Sequence, residues 1–265
     1  MSGVIGLDIG RSYVKSYTGS KIFHFPAIIG EWRERKLITD YGENAIECKY
    51  NEERFFVGAL AQNESDFYRH MMTENKSHDD ARLLALISVH KAALSENITV
   101  VTGLPVAQHN DSNKKELQDL LIGYWEIEVN GIKRNFHISN VKVAVEGGAA
   151  FWSSPKDGLI RVIDGGSKTI NYVTMFNRRY VDRESGSLPF GFGTNKSNNH
   201  KELANRIAGE VSKKWGDYDE IWVVGGCARE LTSLLQPYFP NVKTLQNPLY
   251  ANAIGYYRIG KSVES

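Results

Sequence analysis

Cysteine is scarce in this sequence: Cys48 and Cys227 are the only two, far apart and outside any CxxC pair. That excludes a zinc or redox motif built on cysteine spacing and favours reduced thiols. An excess of charge of one sign is also lacking. The 32 Lys and Arg nearly cancel the 31 Asp and Glu, leaving a formal net charge of +1. Such a chain has no basic footprint with which to grip nucleic-acid phosphates, so no direct contact with nucleic acid is expected. No apolar run approaches the roughly 20 residues of a membrane span, and no membrane association is expected. The stretch Val4 to Ile9, interrupted by Asp8, is too short and wrongly flanked for a signal peptide. A cytoplasmic protein is the expectation. The GxxxxGK[ST] phosphate loop is missing too.

What is present is the composition of an ordinary globular chain, with 42% hydrophobic and 24% charged residues over 265 positions. That length suggests two domains, each with its own core. Val4 to Ile9 and Tyr13 to Tyr17 read as a hairpin about Gly10-Arg11-Ser12. Further β-like runs are Phe23 to Ile29, Ala45 to Tyr50 and Arg54 to Gly58. Ala81 to Leu94 is apolar on most faces, predicting a buried helix with Asp79 or Asp80 near its N-cap. Ile98 to Thr102 is a strand ending in Gly103-Leu104-Pro105, Lys114 to Tyr124 reads as helix, and Trp125 to Ile138 as a hairpin about Asn130-Gly131. A second half follows: strands Leu159 to Ile163 and Thr169 to Phe176, an amphipathic helix over 198–215, strand Ile221 to Val224 and helix Ala228 to Leu235. In that amphipathic helix Leu203, Ile207, Val211 and Trp215 repeat at i, i+4. The order of elements argues an α/β protein in two halves.

Three segments carry candidate chemistry. In Asp8-Ile9-Gly10-Arg11-Ser12-Tyr13-Val14-Lys15, a carboxylate ends a buried strand, where it needs a cation or donors. The glycine turn can offer backbone N–H groups to phosphate oxygens, with Lys15 as a mobile positive charge. A plain structural turn is the alternative, because D-x-G turns are common. Ile163-Asp164-Gly165-Gly166-Ser167-Lys168-Thr169-Ile170-Asn171 repeats that design. Two such hairpins make a phosphate clamp, and Asp8 with Asp164 can supply the few carboxylates that a hydrated Mg²⁺ takes. In Ile221-Trp222-Val223-Val224-Gly225-Gly226, the two glycines before a helix either let a flat ligand approach the backbone or simply make a tight turn.

In order and spacing, these segments resemble the phosphate-1, phosphate-2 and adenosine motifs of the actin-like ATPase superfamily, which includes actin, heat-shock chaperones and sugar kinases. Val-Lys-Val-Ala-Val-Glu146-Gly-Gly-Ala-Ala-Phe151 resembles the lead-in to the connecting helix that carries the catalytic acid. Asn247-Pro-Leu-Tyr-Ala-Asn-Ala-Ile-Gly255 resembles the closing connection between domains. The five motifs span nearly the whole chain. Gly103-Leu-Pro105 and the Asn247–Gly255 segment look most like the plasmid-segregation actins of the ParM/StbA group.

The resemblance implies the duplicated ribonuclease H-like fold, with two domains around a nucleotide cleft. Domain I would take residues 1–158, with 247–265 returning to it, and domain II residues 159–246. It implies ATP, or GTP in its place, with Mg²⁺ as cofactors. Asp8 would position the metal through water, while Gly10, Arg11, Ser12, Tyr13 and Lys15 meet phosphates. Asp164 would hold the metal shell and the attacking water, and Glu146 would polarise that water. Gly165, Gly166, Ser167 and Thr169 would bind phosphate oxygens, with Gly225 and Gly226 flanking the adenosine. Which residue of the amphipathic helix reaches the base, Lys201 or Glu210 among them, stays open. For Glu146 a plain alternative also stands: a helix-start residue stabilised by the dipole.

Three departures accompany the resemblance. Ser167 stands where a second glycine is frequent and Asn171 where an aspartate is frequent, which is expected to alter metal affinity or hydrolysis rate. Only about fifty residues separate Thr169 from Ile221, where relatives insert a whole subdomain. Subdomain IIB is therefore expected to be reduced or absent, as in the shortened AlfA-type actins, and a filament contact would then help to hold the nucleotide. Lys21 to Ser77 would form subdomain IB, with Asp66-Phe-Tyr-Arg-His-Met71-Met72 as either an interface patch or a plain helix or loop. The implied function is an ATPase that assembles into filaments of itself and moves plasmid DNA through a DNA-binding adaptor of ParR type. A non-polymerising ATP-binding scaffold and a small-molecule kinase of the same fold are the alternatives.

Overall fold

The computed structural model describes residues 3–70, 77–194 and 199–262. It divides into two compact units: unit 1 takes residues 1–102, 110–143 and 260–265, and unit 2 takes residues 103–109 and 144–259.

Unit 1 is built on one twisted sheet. Its first hairpin is β1 (Gly3–Ile9) with β2 (Tyr13–Tyr17), joined in the register Asp8↔Lys15, and β3 (Ile22–Pro26) extends it. The run read as one strand over Phe23 to Ile29 breaks at Ala27, whose N–H donates to the Ser12 carbonyl at 2.9 Å. β4 (Ile28–Glu31) leaves this hairpin to pair elsewhere, with β6 (Glu53–Gly58) and β7 (Arg69–His70), and β6 pairs with β5 (Ala45–Tyr50). Helix α1 (Ala59–Glu64) covers the β4, β5 and β6 group. Helix α2 (Asp79–Ala92) packs on β1, β2 and β9 (Gly123–Val129) and is buried on nearly every side, as its Leu- and Ala-rich sequence requires. Asp79 and Asp80 lie in its first turn, where carboxylates meet the positive end of the helix dipole, but the N-cap is His78.

Parallel to β1 runs β8 (Asn97–Leu104). Helix α3 (Asp111–Leu121) begins three residues earlier than the sequence suggests, because the Asn110 side chain caps it by accepting from Asn113 N–H at 2.9 Å. It ends before Gly123, which opens β9. The β9–β10 hairpin (β10, Ile132–Val145) turns on Asn130 and Gly131, both at positive φ (49° and 76°), as a type I′ turn needs. Asn130 also ties the tip to β5: its side chain accepts from Glu47 N–H at 2.7 Å and donates to the Ala45 carbonyl at 3.2 Å. The sheet order is β3-β2-β1-β8-β10-β9-β5-β6-β4-β7. Phe67 is 86% exposed, so the 66–70 stretch is no core helix, and Met71 and Met72 lie outside the described residues. Burial pushes the Cys48 thiol up to about 12, and both cysteines are free.

Unit 2 is a sheet between two helical layers. The elements are α4 (Gly148–Trp152), β11 (Leu159–Gly165), β12 (Ile170–Phe176), β13 (Arg179–Tyr180), β14 (Gly186–Leu188), α5 (His200–Val211), β15 (Ile221–Gly225), α6 (Ala228–Leu235), β16 (Val242–Thr244) and α7 (Ala251–Ser262). The strand order is β13-β12-β11-β15-β16, with β14 on β12. Side chains alternate across a strand, and the two cores follow that alternation. Ile163, Tyr172, Ile221 and Val223 face α5 and α6, whereas Ile160, Val162, Val173, Met175, Trp222 and Val224 face α4 and the start of α7. On this second face Phe151 stacks on Trp222 with ring centres 5.8 Å apart, an arrangement worth about 0.5–1.5 kcal/mol beyond area burial. Helix α5 stops at Val211, and Trp215 follows in a turn, where its indole N–H donates to Thr174 Oγ1 and the Glu184 carbonyl. Among the described residues, β13, β14, α5 and two short 3-10 turns (Asp182–Glu184 and Phe192–Thr194) are the elements between β12 and β15, so the subdomain expected to be reduced there is reduced.

The unit boundaries differ from the junctions at 158/159 and 246/247 read from the sequence. Helix α4 packs on β11 and β12. Gly255 of α7 lies so close to α4 that a Cβ would come within 1.7 Å of the Ala149 carbonyl oxygen. Residues 144–158 and most of α7 therefore go with the second sheet.

Two charged groups sit against this sheet. Arg161 is buried within β11 and bonds Asp219 at 2.8 Å, Glu184 at 2.5 Å and Thr174 at 2.5 Å, with its guanidinium 5.4 Å from the Trp215 ring centre. Glu220 precedes β15 and accepts from Lys156 at 2.5 Å, Lys243 at 2.6 Å and the Trp222 indole at 2.8 Å. Burial alone would raise its pKa, but these three donors together pull it from the ordinary 4.5 down to about 2. A depressed carboxylate contributes stability that is present above its unfolded pKa and lost as pH falls through the folded one. The urea midpoint should accordingly fall between about pH 4.5 and 2 less steeply in Glu220→Gln than in the parent. Parallel curves for the two proteins would show that the lysine cage does not act.

Candidate functional site

In unit 1, Asp8 reaches the end of β1 because Val4, Ile5, Leu7 and Ile9 are all buried and carry it inward; it is only 7% exposed itself. The Asp8↔Lys15 register places the lysine opposite, and its Nζ lies 2.8 Å from Asp8 Oδ2. A buried carboxylate needs such a partner. Gly10 cannot be replaced without movement, since a Cβ would meet the Tyr13 carbonyl oxygen at 2.5 Å and Lys15 Nζ at 3.1 Å. Arg11 is partly exposed, Ser12 exposed, and Tyr13 is 42% exposed with its ring edge against His24. Burial pushes the half-buried His78 imidazole down; Asp80 and Asp79 oppose this, while Arg11 and Arg69 reinforce it. The turn residues Gly10 to Tyr13 thus surround one paired carboxylate and present polar groups outward.

In unit 2, Asp164, Asn171 and Ser187 form a row across three strands, through the registers Asp164↔Asn171 and Asn171↔Ser187. Glu146 follows the last residue of β10 and joins this row: Asn171 Nδ2 donates to its Oε2 at 3.1 Å, and its own N–H donates to the Leu104 carbonyl at 2.9 Å. Asp164 Oδ2 accepts from Asn252 Nδ2 at 2.8 Å, and Asn252 Oδ1 accepts from Gly147 N–H at 3.1 Å. Gly147 has φ 77°, and a Cβ there would lie 3.2 Å from Val173 and 3.7 Å from the Asp164 Cβ. Glu146, Asp164, Asn171 and Asn252 are all buried. Two carboxylates thus sit within one unit, each met by an asparagine amide.

The hairpin tip Gly165-Gly166-Ser167-Lys168-Thr169 is held from outside. Gly166 N–H donates to the Thr169 carbonyl at 3.1 Å, and a Cβ at Gly166 would meet that oxygen at 2.7 Å. The segment 190–194 lies on this tip: Phe192 N–H donates to the Gly166 carbonyl at 3.2 Å and Gly193 N–H to the Ser167 carbonyl at 2.7 Å. Gly225 and Gly226 separate in role. Gly225 has φ 101°, and a Cβ would come within 2.4 Å of the Gly165 carbonyl oxygen, so close approach of β11 and β15 demands glycine. Gly226 is exposed, and a Cβ would find only Leu249 Cδ1, at 3.9 Å.

Of the sequence-selected residues, unit 1 brings together Asp8, Gly10 and Lys15, with Arg11, Ser12 and Tyr13 in the turn. Unit 2 brings together Glu146 and Asp164, and pairs Gly165 with Gly225. Sequence reasoning missed Asn252, Ser187 and the Gly191–Thr194 segment, and noticed Asn171 only as a departure. An asparagine in the first turn of α7, where it is a poor helix former, was the available signal for Asn252. A cavity of about 580 Å³ in unit 1, lined by residues including Arg35, Tyr41, Glu47, Lys49, Arg54 and Glu128, contains none of the selected residues.

The family model for actin-like proteins, N-terminal domain, matches residues 6–148. No curated protein matches the chain. Among solved structures, a 15-stranded ParM filament from Clostridium botulinum is similar with a TM-score of 0.82 and 21% identity, over 98% of this chain and 99% of that one. An AlfA filament bound to AMPPNP is similar at 0.77 and 22%, over 100% and 98%. An archaeal actin homolog in complex with ADP is similar at 0.79 and 17%, over 98% and 99%. These likenesses show the actin-like fold.

The two glycines give opposite expectations. Gly225→Ala should lower the urea midpoint by an amount equivalent to about 1–3 kcal/mol, from strain at positive φ with a backbone clash. Gly226→Ala should stay within about 0.5 kcal/mol of the parent. Equal losses in the two variants would contradict the separation of their roles.

Proposed function

This chain belongs to the actin-like protein family, and we propose that it binds and hydrolyses ATP with Mg²⁺ and assembles with ATP into filaments of itself that segregate plasmid DNA. The observation that carries the reading is the buried pair Glu146 and Asp164, each met by a side-chain amide at the end of a strand that runs into a glycine turn. Carboxylates are costly to bury unless donors or cations meet them, so a fold that keeps two in one unit has a use for them.

The donor set suits the cofactor. Magnesium takes oxygen ligands, keeps several waters and needs few protein carboxylates. Asp8 and Asp164 have that chemistry, and among the described residues no cluster of three or more metal-ligating side chains occurs. An ion held largely by phosphate oxygens and water needs no such cluster, and it would neutralise charge on the β- and γ-phosphates. The exposed backbone at Gly226 leaves room for the adenosine, whereas Gly225 supports the strand beneath it.

In this reading Gly10, Arg11, Ser12, Tyr13 and Lys15 bind phosphate oxygens, as do Gly165, Gly166, Ser167 and Thr169. Lys15 holds Asp8 in place and supplies positive charge beside it. Glu146 accepts a hydrogen bond from the attacking water and orients it for in-line displacement at the γ-phosphorus. Catalysis then rests mainly on positioning and charge. GTP in place of ATP is compatible with the same phosphate contacts. The two nucleotide-bound neighbours and the two filament neighbours support nucleotide binding and self-assembly. The near-neutral charge favours reaching DNA through an adaptor of ParR type, and the absence of a long apolar helix among the described residues fits a cytoplasmic site of action.

Right-angle light scattering with simultaneous phosphate release is the test. Scattering should rise with ATP–Mg²⁺ and decay as phosphate appears, with no rise in ADP–Mg²⁺. Glu146→Ala should slow phosphate release by roughly a hundredfold or more while the rise remains. ATP binding without any rise at high protein concentration would replace the filament by a scaffold. Turnover that requires an added sugar or acid would replace it by a kinase.

A further inference from the structure

Gly103-Leu104-Pro105 closes β8, and beyond the Leu104 carbonyl that meets Glu146 N–H, the chain just after it has no role in the site as described so far. After β8 the chain enters a short 3-10 turn, Val106–Gln108, which packs against β14. This turn presents two consecutive backbone N–H groups to the polar row of unit 2. Val106 N–H donates to Asn171 Oδ1 at 3.3 Å, and Ala107 N–H donates to Ser187 Oγ at 3.2 Å. Ser187 Oγ in turn donates to Asn171 Oδ1 at 2.6 Å, and Asn171 Nδ2 donates to Glu146 Oε2 at 3.1 Å. The carbonyl of Leu104, the last residue of β8, accepts from Glu146 N–H at 2.9 Å.

The direction of this chain is not a matter of choice. An amide side chain can in principle be turned either way, and a hydroxyl can donate or accept. A backbone N–H can only donate. Val106 N–H therefore calls for an oxygen at its edge of Asn171. The Ser187 hydroxyl, 2.6 Å from that oxygen, must donate to it while Ala107 N–H meets a lone pair of Ser187 Oγ. Val106 N–H and the hydroxyl proton both require the oxygen edge of Asn171, which leaves its NH₂ edge facing Glu146. Donors in series polarise one another, and the last one points at a carboxylate. An ionised aspartate at position 171 could accept from Val106 and Ser187 equally well but would turn a bare oxygen toward Glu146, and two adjacent carboxylates repel.

We propose that Asn171 and Ser187 are positioning residues for Glu146, and that the 3-10 turn Val106–Gln108 sets the polarity of the relay that connects them. The proposal rests on the hydrolytic reading of Glu146. The relay holds one Glu146 oxygen by an amide proton, so that the carboxylate is fixed in orientation, while nucleotide binding does not involve either residue. The effect should appear in the rate of the chemical step and not in nucleotide affinity.

Asn171→Asp, nearly identical in shape, should lower kcat for phosphate release by about ten- to a hundredfold, the worth of a charge-assisted hydrogen bond turned into a repulsion. The nucleotide dissociation constant should stay within about twofold of the parent. Ser187→Ala should lower kcat by a few-fold, because Val106 N–H still anchors the amide, and Ser187→Thr should restore it. Unchanged kcat in Asn171→Asp would overturn the proposal. So would equal losses of kcat and nucleotide affinity, or a Ser187→Ala defect that threonine fails to rescue.

A second readout does not need hydrolysis. In a ¹⁵N-labelled protein the Asn171 side-chain amide protons should shift when Glu146→Ala removes their acceptor, and shift part of the way in Ser187→Ala. Identical Asn171 resonances in the parent and in Glu146→Ala would end the relay whether or not the protein hydrolyses ATP. A parent that releases no phosphate, but shows these shifts, would end the hydrolytic reading and leave the relay standing.

Discussion

The cost of placing carboxylates where water is scarce organises unit 2. Asp164 is carried inward by Ile160, Val162 and Ile163, and Glu146 by the long strand β10. Once both are inside, each requires a donor. The fold supplies amide groups: Asn171 from the neighbouring strand and Asn252 from the first turn of α7. Those amides need acceptor-side partners in their turn, which brings in Ser187, Gly147 and the turn after β8. Six stretches of chain converge because two charges must be met. Unit 1 solves the same problem differently, with an ammonium at 2.8 Å from Asp8.

What was legible in the sequence was what repeats locally. The alternating strands of β11 and β12, the Asn130-Gly131 turn and the apolar stripe of α5 all follow from spacing within a few residues. So did the glycine turns after Asp8 and Asp164, since a carboxylate at the end of an apolar run is visible as text. Errors came where a tertiary contact overrode the local pattern. The run over Phe23 to Ile29 is apolar except for His24, yet a hydrogen bond from Ala27 to Ser12 splits it between two parts of the sheet. Helix α3 starts early because Asn110 caps it, and Trp215 keeps the stripe of α5 after the helix has ended.

Of the candidate site, the sequence offers the positions but not the contacts among them. Asn171 and Glu146 are 25 residues apart, Asn252 and Asp164 are 88 apart, and nothing in spacing links them. Gly225 and Gly226 look alike in sequence and differ wholly in surroundings, one pressed against the Gly165 carbonyl oxygen and the other open. Only the approach of two strands tells them apart. The Gly191 to Thr194 segment was invisible for the same reason: its bonds go to Gly166 and Ser167, across a stretch in which β13 and β14 intervene.

Arg161 shows what such dependence means for how the sequence can vary. Its guanidinium is buried beneath Trp215 and shared between Asp219 and Glu184. Losing the arginine leaves Glu184 with Arg183 at 3.2 Å and Asp219 with Gly216 N–H at 3.0 Å. Losing an acid, by contrast, strands part of a buried cation, which is more costly than replacing the whole group by apolar side chains of similar size. Positions 161, 184 and 219 therefore behave as a single inherited character. Related chains should carry all three or none, and an intermediate would survive only if a second change followed soon after the first.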